Sequence, residues 1–262
     1  MPTLSVAASK VQLAIIRRLP FAVRSAYVPA LRQTIREPGR ASSVFSEIYW
    51  SNLYRPMHKL PSSPNIVDLG ANMGLFSIYA SQLSPDAKIT AFEASPRVYP
   101  ILIENLSRLR WGDVRPHNVA VTDREGSIDF QVDRNNPYSL EATAFRDTST
   151  YADPKSLETI SVPCSRLDTY VPGYIDFLKC DIEGAEYSAI GDTLTRKRVD
   201  QAVIEFHEIA RNWDAFSDIV ARARSERFAV LDRHEQPLTV NEQLRTAPTQ
   251  NIVVKFCAER VS

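Results

Sequence analysis

The chain has 262 residues, of which 44% are hydrophobic and 24% are charged, and its 31 basic residues balance its 31 acidic ones. This composition is typical of a globular protein, and the balanced charge argues against a dedicated nucleic-acid binder. No apolar run approaches the roughly 20 residues that a membrane-spanning helix needs. The three cysteines are far apart, which favours a reducing compartment over a disulfide framework, so we expect a cytoplasmic protein.

The N-terminal segment, residues 1–36, carries six basic residues and no acidic one. Five apolar side chains recur there at helical spacing: Leu4, Ala8, Val11, Ile15 and Leu19. The pattern predicts a basic amphipathic helix within an N-terminal helical extension, residues 1–60. Three interpretations stay open: a helix that packs on its own domain, one that contacts a membrane surface, and an organellar transit peptide. The first is preferred, because amphipathic helices usually bury their apolar face against their own domain.

Residues 61–262 alternate short β-rich runs with helical runs, which is typical of one α/β domain with a mostly parallel sheet. The periodicity predicts strands at residues 66–69, 88–93, 114–121, 126–132, 175–180, 202–207, 227–232 and 251–256. It predicts helices at residues 74–83, 96–110, from 185 onward, and near 216–226. Pro116 cannot donate a ladder hydrogen bond, so its strand belongs at a sheet edge. The polar stretch 134–157 predicts a loop that closes as a lid over a substrate.

The first predicted strand runs directly into a glycine-containing turn, residues 67–74, with the sequence V-D-L-G-A-N-M-G. Glycines let a backbone approach a ligand closely, and such a turn lies where open α/β sheets bind ligands. The spacing G-x-G-x-x-G is absent, which argues against a nicotinamide-dependent oxidoreductase. Asp68 suits a ligand that carries an ammonium group. An ordinary strand-to-helix turn is the alternative interpretation.

Glu93 ends the second predicted strand, 25 positions after Asp68. A carboxylate there can accept hydrogen bonds from both hydroxyls of a ribose. Together the two carboxylates and the glycine turn predict a pocket for a neutral or cationic nucleoside. S-adenosylmethionine fits such a pocket, whereas a phosphorylated nucleotide would be repelled.

A second group of polar side chains follows the strands at 175–180 and 202–207. Asp181 and Glu183 come directly after the first of these strands, and His207 ends the second. Because side chains two apart share one face of a strand, we expect Asp181 to pair with His207. By the same parity Lys179 should pair with Glu205. Glu186 is interpreted as an acid that complements the N-terminus of the next helix.

With these motifs the chain resembles the FkbM family of methyltransferases over about residues 44–210. The matching stretches are residues 67–74 with Phe76-Ser77, 92–96, 118–121 with Asp123 and Gly126, 167–168, 176–186 and 203–207. The resemblance implies an α/β class I methyltransferase fold, which is a Rossmann-like sheet of seven mostly parallel strands with the last strand antiparallel.

The resemblance also implies S-adenosylmethionine as the cofactor. Its methionine part would lie near the glycine turn and the end of the central strand, at Asp68, Gly70, Ala71, Asn72, Gly74 and Asp181. Glu93 would hold the ribose, and Asn118 and Ala120 would lie near the adenine.

The resemblance further implies O-methylation of a hydroxyl on a natural product or glycan, so we expect a small-molecule or glycan acceptor and no nucleic-acid partner. A catalytically silent nucleoside-binding protein or scaffold with the same fold is the alternative. For catalysis we assign His207 as the base, with Asp181 orienting it or acting in its place. In a second mechanism Asp181, Glu183 and His207 hold a divalent cation, for which Mg²⁺ is a candidate but not the favoured choice.

Overall fold

The computed structural model describes residues 4–16, 24–37, 41–135, 156–195, 198–247 and 251–259. Its α-helices are α1 (Leu4–Ile16), α2 (Ala41–Phe45), α3 (Leu75–Leu83), α4 (Tyr99–Leu106), α5 (Leu167–Tyr170), α6 (Glu186–Ala189), α7 (Gly191–Thr195), α8 (Trp213–Ser225) and α9 (Glu242–Arg245). Its strands are β1 (Arg24–Val28), β2 (Gln33–Glu37), β3 (Asn65–Leu69), β4 (Lys88–Phe92), β5 (Asp113–His117), β6 (Ala120–Val121), β7 (Gly126–Asp133), β8 (Leu157–Ser165), β9 (Ile175–Cys180), β10 (Val199–Phe206), β11 (Phe228–Asp232) and β12 (Ile252–Ala258). A 3₁₀ turn, Pro29–Leu31, and a π-helical turn, Ser46–Trp50, complete the regular structure of the described residues.

A seven-stranded sheet forms the centre of the molecule, with the strand order β11-β12-β10-β9-β3-β4-β5. Its five consecutive strands from β10 to β5 are parallel, and β12 runs antiparallel to both of its neighbours. This confirms the predicted mostly parallel sheet with an antiparallel last strand. The carboxyl ends of β3, β4, β9 and β10 therefore lie along one edge of the sheet, where such folds bind ligands.

The strand that contains Pro116 lies at the edge of the central sheet, as predicted. The prediction of one strand over 114–121 was wrong, because β5 ends at His117 and β6 belongs to a different sheet. Asn118 explains the break, since its side-chain amide donates to the backbone oxygens of Glu93 (2.7 Å) and Ala94 (3.1 Å). These bonds hold the chain at the end of β4 instead of extending the strand.

A separate three-stranded sheet, with the order β6-β8-β7, adjoins this end of the molecule. Strand β7 was predicted, whereas strand β8 was not. The alternation of apolar residues in β8 is short, and Pro163 and four Ser or Thr residues lie within or directly beside it, so the sequence pattern of a strand is weak there. Ile160 and Val162 of β8 pack with Phe130 of β7 in a small hydrophobic cluster. Of the lid predicted over residues 134–157, residues 136–155 lie outside the described part of the chain, and Leu157 already belongs to β8.

Helix α4 is shorter than the prediction of residues 96–110. It begins at Tyr99, three residues after Pro96, and Pro100 is the proline in its first turn. A proline is tolerated there because the first backbone N–H groups of a helix have no partner within the helix.

No helix among the described residues is both long and apolar enough to cross a membrane.

The N-terminal extension contains a β-hairpin, β1–β2, as well as helices. Helix α1 forms where the sequence predicts it, but it packs through a different face. Ser9 and Leu13 are buried, whereas Val11 of the predicted apolar face is 61% exposed. The hydroxyl oxygen of Ser9 accepts a hydrogen bond from the backbone N–H of Ala30 at 3.0 Å, which aligns the helix with the segment between the hairpin strands.

The hydrophobic core lies on both faces of the central sheet. On one face a single cluster joins the extension to the sheet through Leu13, Ile35, Phe45, Phe76 and Phe177. On the other face helix α8 buries side chains at helical spacing, which are Phe216, Ile219, Val220 and Ala223. The sheet is therefore covered on both sides, and its carboxyl edge holds most of the polar groups that the sequence singles out.

Candidate active site

The glycine turn after β3 is held tightly against the end of β9. The backbone N–H of Asp181 donates to the carbonyl of Leu69 at 3.1 Å. Gly70 has a φ of +74°, and a Cβ on it would lie 1.8 Å from the carbonyl oxygen of Asp181. Asn72 also has a positive φ, 51°, which asparagine tolerates better than most residues. Glycine is therefore needed at position 70 for contact within the protein, independently of any ligand.

Asp68 lies behind this turn and not in the crevice. Its side chain is fully buried, and Oδ2 accepts a 2.7 Å hydrogen bond from the hydroxyl of Ser77. The ammonium of Lys179 lies 3.5 Å from Oδ1. An effect of Asp68 on a ligand would therefore be transmitted through the turn, since its carboxylate has no exposed surface.

Lys179 ties β9 to the glycine turn. Its Nζ donates to the backbone oxygens of Leu69 (3.0 Å) and Gly70 (2.6 Å). Burial alone would lower the pKa of Lys179, but the nearby charges of Asp68 and Asp181 outweigh it and raise that pKa. The predicted pairing of Lys179 with Glu205 was wrong.

The sheet register gives the reason for that correction. Lys179 lies opposite Val203 on one side and opposite Asp68 on the other. The buried carboxylate of Asp68 needs a compensating charge, and Lys179 is the cation beside it. Glu205 lies two positions beyond Val203, so it is level with Asp181.

Glu93 is buried at the end of β4, next to the glycine turn. Its Oε2 accepts a hydrogen bond from the backbone N–H of Asn72 at 2.9 Å, and its Oε1 accepts one from that of Ser95 at 2.8 Å. Burial raises the pKa of Glu93 to about 7, although these two hydrogen bonds oppose the shift. The carboxylate is thereby fixed in one orientation at the edge of the sheet.

The two residues assigned to the adenine lie beyond Glu93 along the same edge. Asn118 is half-buried, and its amide nitrogen donates to the backbone just after β4. Ala120 is buried in β6. Asn72, Ala94 and Asn118 leave a half-exposed rim beside Glu93.

The structure brings together the three residues assigned to catalysis. Nε2 of His207 lies 3.8 Å from Oδ1 of Asp181 and 3.4 Å from Oε2 of Glu183. Asp181 and His207 directly follow β9 and β10, and Glu183 lies in the next turn with a φ of +54°. Among the described residues this is the one group of at least three His, Cys, Asp or Glu side chains whose ligand atoms all lie within 4.8 Å of one another.

Glu186 has a larger role than the expected complement to a helix N-terminus. Its Oε1 lies 2.8 Å from Nδ1 of His207 and also accepts hydrogen bonds from the backbone N–H groups of Ile182 (3.2 Å) and Gly184 (3.1 Å). It is fully buried. Glu186 therefore orients the imidazole, a role that the sequence analysis gives to Asp181. In the sequence, this role of Glu186 was indicated only by its position in the E-G-x-E segment, residues 183–186.

The carboxylates around His207 control its charge. Burial alone would lower the pKa of His207, but the hydrogen bond with Glu186 and the charges of Glu186, Glu183 and Asp181 raise it to about 10. Burial raises the pKa of Glu183 to about 8 and that of Glu205 to about 7, and neighbouring carboxylates add to both shifts. Without a bound cation the protonated imidazole is therefore favoured at neutral pH, and Glu183 and Glu205 are costly to ionise together.

The N-terminal extension reaches the same site, which the sequence did not indicate. The hydroxyl of Tyr54 lies 3.5 Å from both Oδ2 of Asp181 and Oε2 of Glu205. Glu47 lies close enough for the charge of Asp181 to raise its pKa, after the larger effect of its own burial. Residues before position 60 thus form part of the wall of the site.

The strand order, the glycine turn after the first central strand and the acid at the end of the next strand define a class I methyltransferase fold. Over residues 68–229 the chain matches the family model described as the methyltransferase FkbM domain. Because this match covers more than half of the chain, the chain belongs to the FkbM methyltransferase family. The protein is a methyltransferase, and the resemblance noted in its sequence is confirmed.

The chain is similar in sequence to three named methyltransferases. Methyltransferase sdnD of Sordaria araneosa is 29% identical over 66% of this chain and 73% of its own length. The 2-O-methyltransferase NoeI of Sinorhizobium fredii is 31% identical over 63% of this chain and 70% of its own length. The 31-O-demethyl-FK506 methyltransferase FkbM of Streptomyces tacrolimicus is 25% identical over 87% of this chain and 93% of its own length.

Proposed function

We propose that this protein transfers a methyl group from S-adenosylmethionine to a hydroxyl of a natural product or glycan. The observation that carries the proposal is the buried carboxylate of Glu93, which is fixed at the end of β4 beside the glycine turn. A carboxylate at this position of a Rossmann-like sheet accepts the hydroxyls of a ribose.

The donor set around Glu93 fits an adenosyl group. Each carboxylate oxygen already accepts one backbone N–H, and each can accept a second hydrogen bond. Two acceptor positions therefore match the two hydroxyls of a ribose. We propose that Gly70, Ala71, Asn72, Gly74 and Asp181 border the methionine part, with Asp68 acting through the turn. Asn118 and Ala120 border the adenine.

We place the acceptor at the cluster of Asp181, Glu183 and His207. Bound S-adenosylmethionine supplies an electrophilic methyl group whose C–S bond breaks as the acceptor oxygen bonds to it. The hydroxyl proton must leave the acceptor oxygen, and we propose that Asp181 takes it. Asp181 has 27% of its side chain exposed and His207 only 8%, and both imidazole nitrogens face carboxylates. His207 then acts by holding the two acidic side chains in place.

The names of the relatives support the proposed acceptor class. One of them is named a 2-O-methyltransferase, and another is named as a methyltransferase of 31-O-demethyl-FK506. The half-exposed acids of the cluster suit a polyhydroxylated acceptor, because carboxylates accept hydrogen bonds from several hydroxyls at once. We propose a cytoplasmic location, in keeping with Cys164, Cys180 and Cys257, which are free thiols.

Calorimetric titration with S-adenosylhomocysteine tests the cofactor assignment. Hydrogen bonds to charged groups are worth roughly 1.5–3 kcal/mol each, so we expect Glu93→Ala to weaken binding at least tenfold. The matched control is Glu104→Ala, since Glu104 lies on α4 and pairs there with Arg36 and Arg108 at the surface. That variant should bind within twofold of wild type. An unchanged dissociation constant for Glu93→Ala would refute the ribose assignment.

Turnover is tested separately with methyl-labelled S-adenosylmethionine and a panel of glycans and hydroxylated natural products. Mass spectrometry should find the label as an O-methyl group. Label found only on nitrogen would contradict O-methylation. Cofactor binding without transfer to any member of a broad panel would favour a silent binding protein.

A further inference from the structure

We infer that Asp181, Glu183 and His207 form a binding site for a divalent metal ion of the kind that accepts both nitrogen and oxygen ligands. The inference deepens the proposed function, because it names a second cofactor for the acceptor end of the same site. It depends on the positions of three side chains, on the orientation of one imidazole and on the distribution of charge.

The spacing of the three side chains matches the ligands of one ion. Nε2 of His207 lies 3.4 Å from the carboxylate of Glu183 and 3.8 Å from that of Asp181. These distances exceed the roughly 2.7–3.2 Å of an N–H···O hydrogen bond. Around an ion with bonds of about 2.2 Å, adjacent ligands stand roughly 3 Å apart and opposite ligands roughly 4.4 Å apart. All three ligand atoms lie within 4.8 Å of one another, so small rotations complete the set.

The orientation of His207 is an observation independent of the acids. The side chain is 8% exposed, its Nδ1 is held by Glu186 at 2.8 Å, and its Nε2 faces the carboxylates of Asp181 and Glu183, where a metal ion would replace its proton. A ligating histidine commonly binds a carboxylate through its other nitrogen, which fixes the ring and increases its basicity. Tyr187 adds a second restraint by donating to the carbonyl of His207 at 2.6 Å. The ring is thus positioned for ligation by elements outside the ligand set.

The charges around the cluster favour a divalent cation. Four carboxyl groups, those of Asp181, Glu183, Glu186 and Glu205, surround His207 closely enough to influence one another. The ammonium of Lys179 lies 3.9 Å from Asp181, but its hydrogen bonds go to the glycine turn. Asp181 and Glu183 keep about a quarter of their side chains exposed, so an ion can reach them from solvent.

The ligand types select among metals. Carboxylates suit Mg²⁺ and Mn²⁺, whereas imidazole suits transition metals better than Mg²⁺. A set of one nitrogen and two oxygens therefore favours Mn²⁺ or a similar ion over Mg²⁺. At this site the ion would polarise the hydroxyl of the acceptor and so make its proton easier to remove.

Mn²⁺ binding is measured on the full-length protein after treatment with a chelator. We expect calorimetry and electron paramagnetic resonance to detect one tightly bound Mn²⁺ per chain, with Mg²⁺ binding at least tenfold more weakly. His207→Ala and Glu183→Gln should each weaken Mn²⁺ binding at least tenfold. Glu186→Gln keeps the shape of the side chain and should weaken it about 10–100-fold, the usual effect of losing an outer carboxylate.

His58→Ala is the matched control, because His58 also forms a His–Asp contact, with Asp200 at 3.5 Å near the opposite end of β10. It should leave Mn²⁺ affinity within twofold of wild type. Circular dichroism checks that each variant folds. If His207→Ala does not fold, Glu183→Gln decides the outcome, since the carboxyl of Glu183 is half-buried.

S-adenosylhomocysteine titration on the same samples separates the two proposals. Wild-type protein that binds S-adenosylhomocysteine but shows no saturable Mn²⁺ binding below about 1 mM would overturn the metal site and leave the proposed function intact. Equal losses of Mn²⁺ affinity in His58→Ala and His207→Ala would also overturn it. Mn²⁺ binding without S-adenosylhomocysteine binding would support the metal site and contradict the proposed cofactor.

Discussion

Glu93 combines burial with a proposed role that requires a negative charge. Its pKa is about 7 because burial disfavours the carboxylate, while the backbone N–H groups of Ser95 and Asn72 and the charge of Lys179 act in the other direction. The nearby charge of Asp68 adds to the rise. Only the ionised form can accept hydrogen bonds at both oxygens from two ribose hydroxyls. Cofactor affinity should therefore depend on pH near neutrality.

We expect the affinity for S-adenosylhomocysteine to fall as the pH decreases through 7. The sign follows from a raised pKa, since the competent ionised form is favoured above 7 and lost below it. Roughly nine in ten chains are ionised at Glu93 at pH 8 and roughly one in ten at pH 6, so the dissociation constant should rise about tenfold. Calorimetric titration at both pH values measures it. In the Glu93→Ala variant the dissociation constant should lose this dependence on pH. If that variant shows the same pH profile as wild type, the pH dependence comes from another group.

The contact between β3 and β9 depends on a buried ion pair. Asp68 and Lys179 lie opposite each other in the register of these strands, and Lys179 also holds two carbonyls of the glycine turn. Removing one partner of a buried pair leaves an uncompensated charge, which is more costly than removing both. The stability of the turn should therefore depend on the pair as a unit.

Lys179→Met should destabilise the protein by about 3–5 kcal/mol, and Lys179→Met with Asp68→Asn should cost less than the sum of the two single changes. Urea unfolding followed by circular dichroism gives these values. The matched control is Lys255→Met on β12: Lys255 is equally buried, but its partner Glu235 is 53% exposed. Its cost should stay within about 1 kcal/mol. Strict additivity at positions 68 and 179 would rule out the proposed coupling.

The N-terminal extension and the sheet share one hydrophobic core and one polar site. Leu13 of α1 belongs to the same buried cluster as Phe76 and Phe177, and Tyr54 contacts Asp181. We propose that the N-terminal extension, residues 1–60, packs as an integral part of the same folded domain as the sheet. In this arrangement a defect in α1 should affect the whole molecule.

Leu13→Ala should lower the free energy of unfolding by about 2–4 kcal/mol, because it leaves a cavity beneath the helix. Val11→Ala is the matched control on the same helix, since Val11 is 61% exposed, and should change stability by less than about 0.5 kcal/mol. Thermal and urea unfolding of both variants provide the comparison. Equal, small effects would show that α1 contributes little to the core and would favour the alternative that it acts at a membrane surface.

Local sequence patterns were sufficient to predict most of the central sheet and the edge at which the candidate site lies. The strands at 66–69 and 175–180 are short apolar runs, and the turn after residue 69 needs a glycine in any chain that follows this path. The carboxyl ends of parallel strands share one edge, so the sequence alone assigns Glu93, Asp181 and His207 to one edge of the sheet. Each of these inferences depends only on neighbouring residues and on the geometry common to parallel sheets.

Only the tertiary structure decided which polar side chain meets which. Lys179 pairs with Asp68 and not with Glu205, because the register between neighbouring strands depends on packing across the whole sheet. Glu186 reaches His207 because the turn before α6 folds back over the end of β10. Tyr54 enters the site from a segment more than 120 residues away in sequence from Asp181. Such contacts join residues that are distant in sequence, and spacing along the chain contains no information about them.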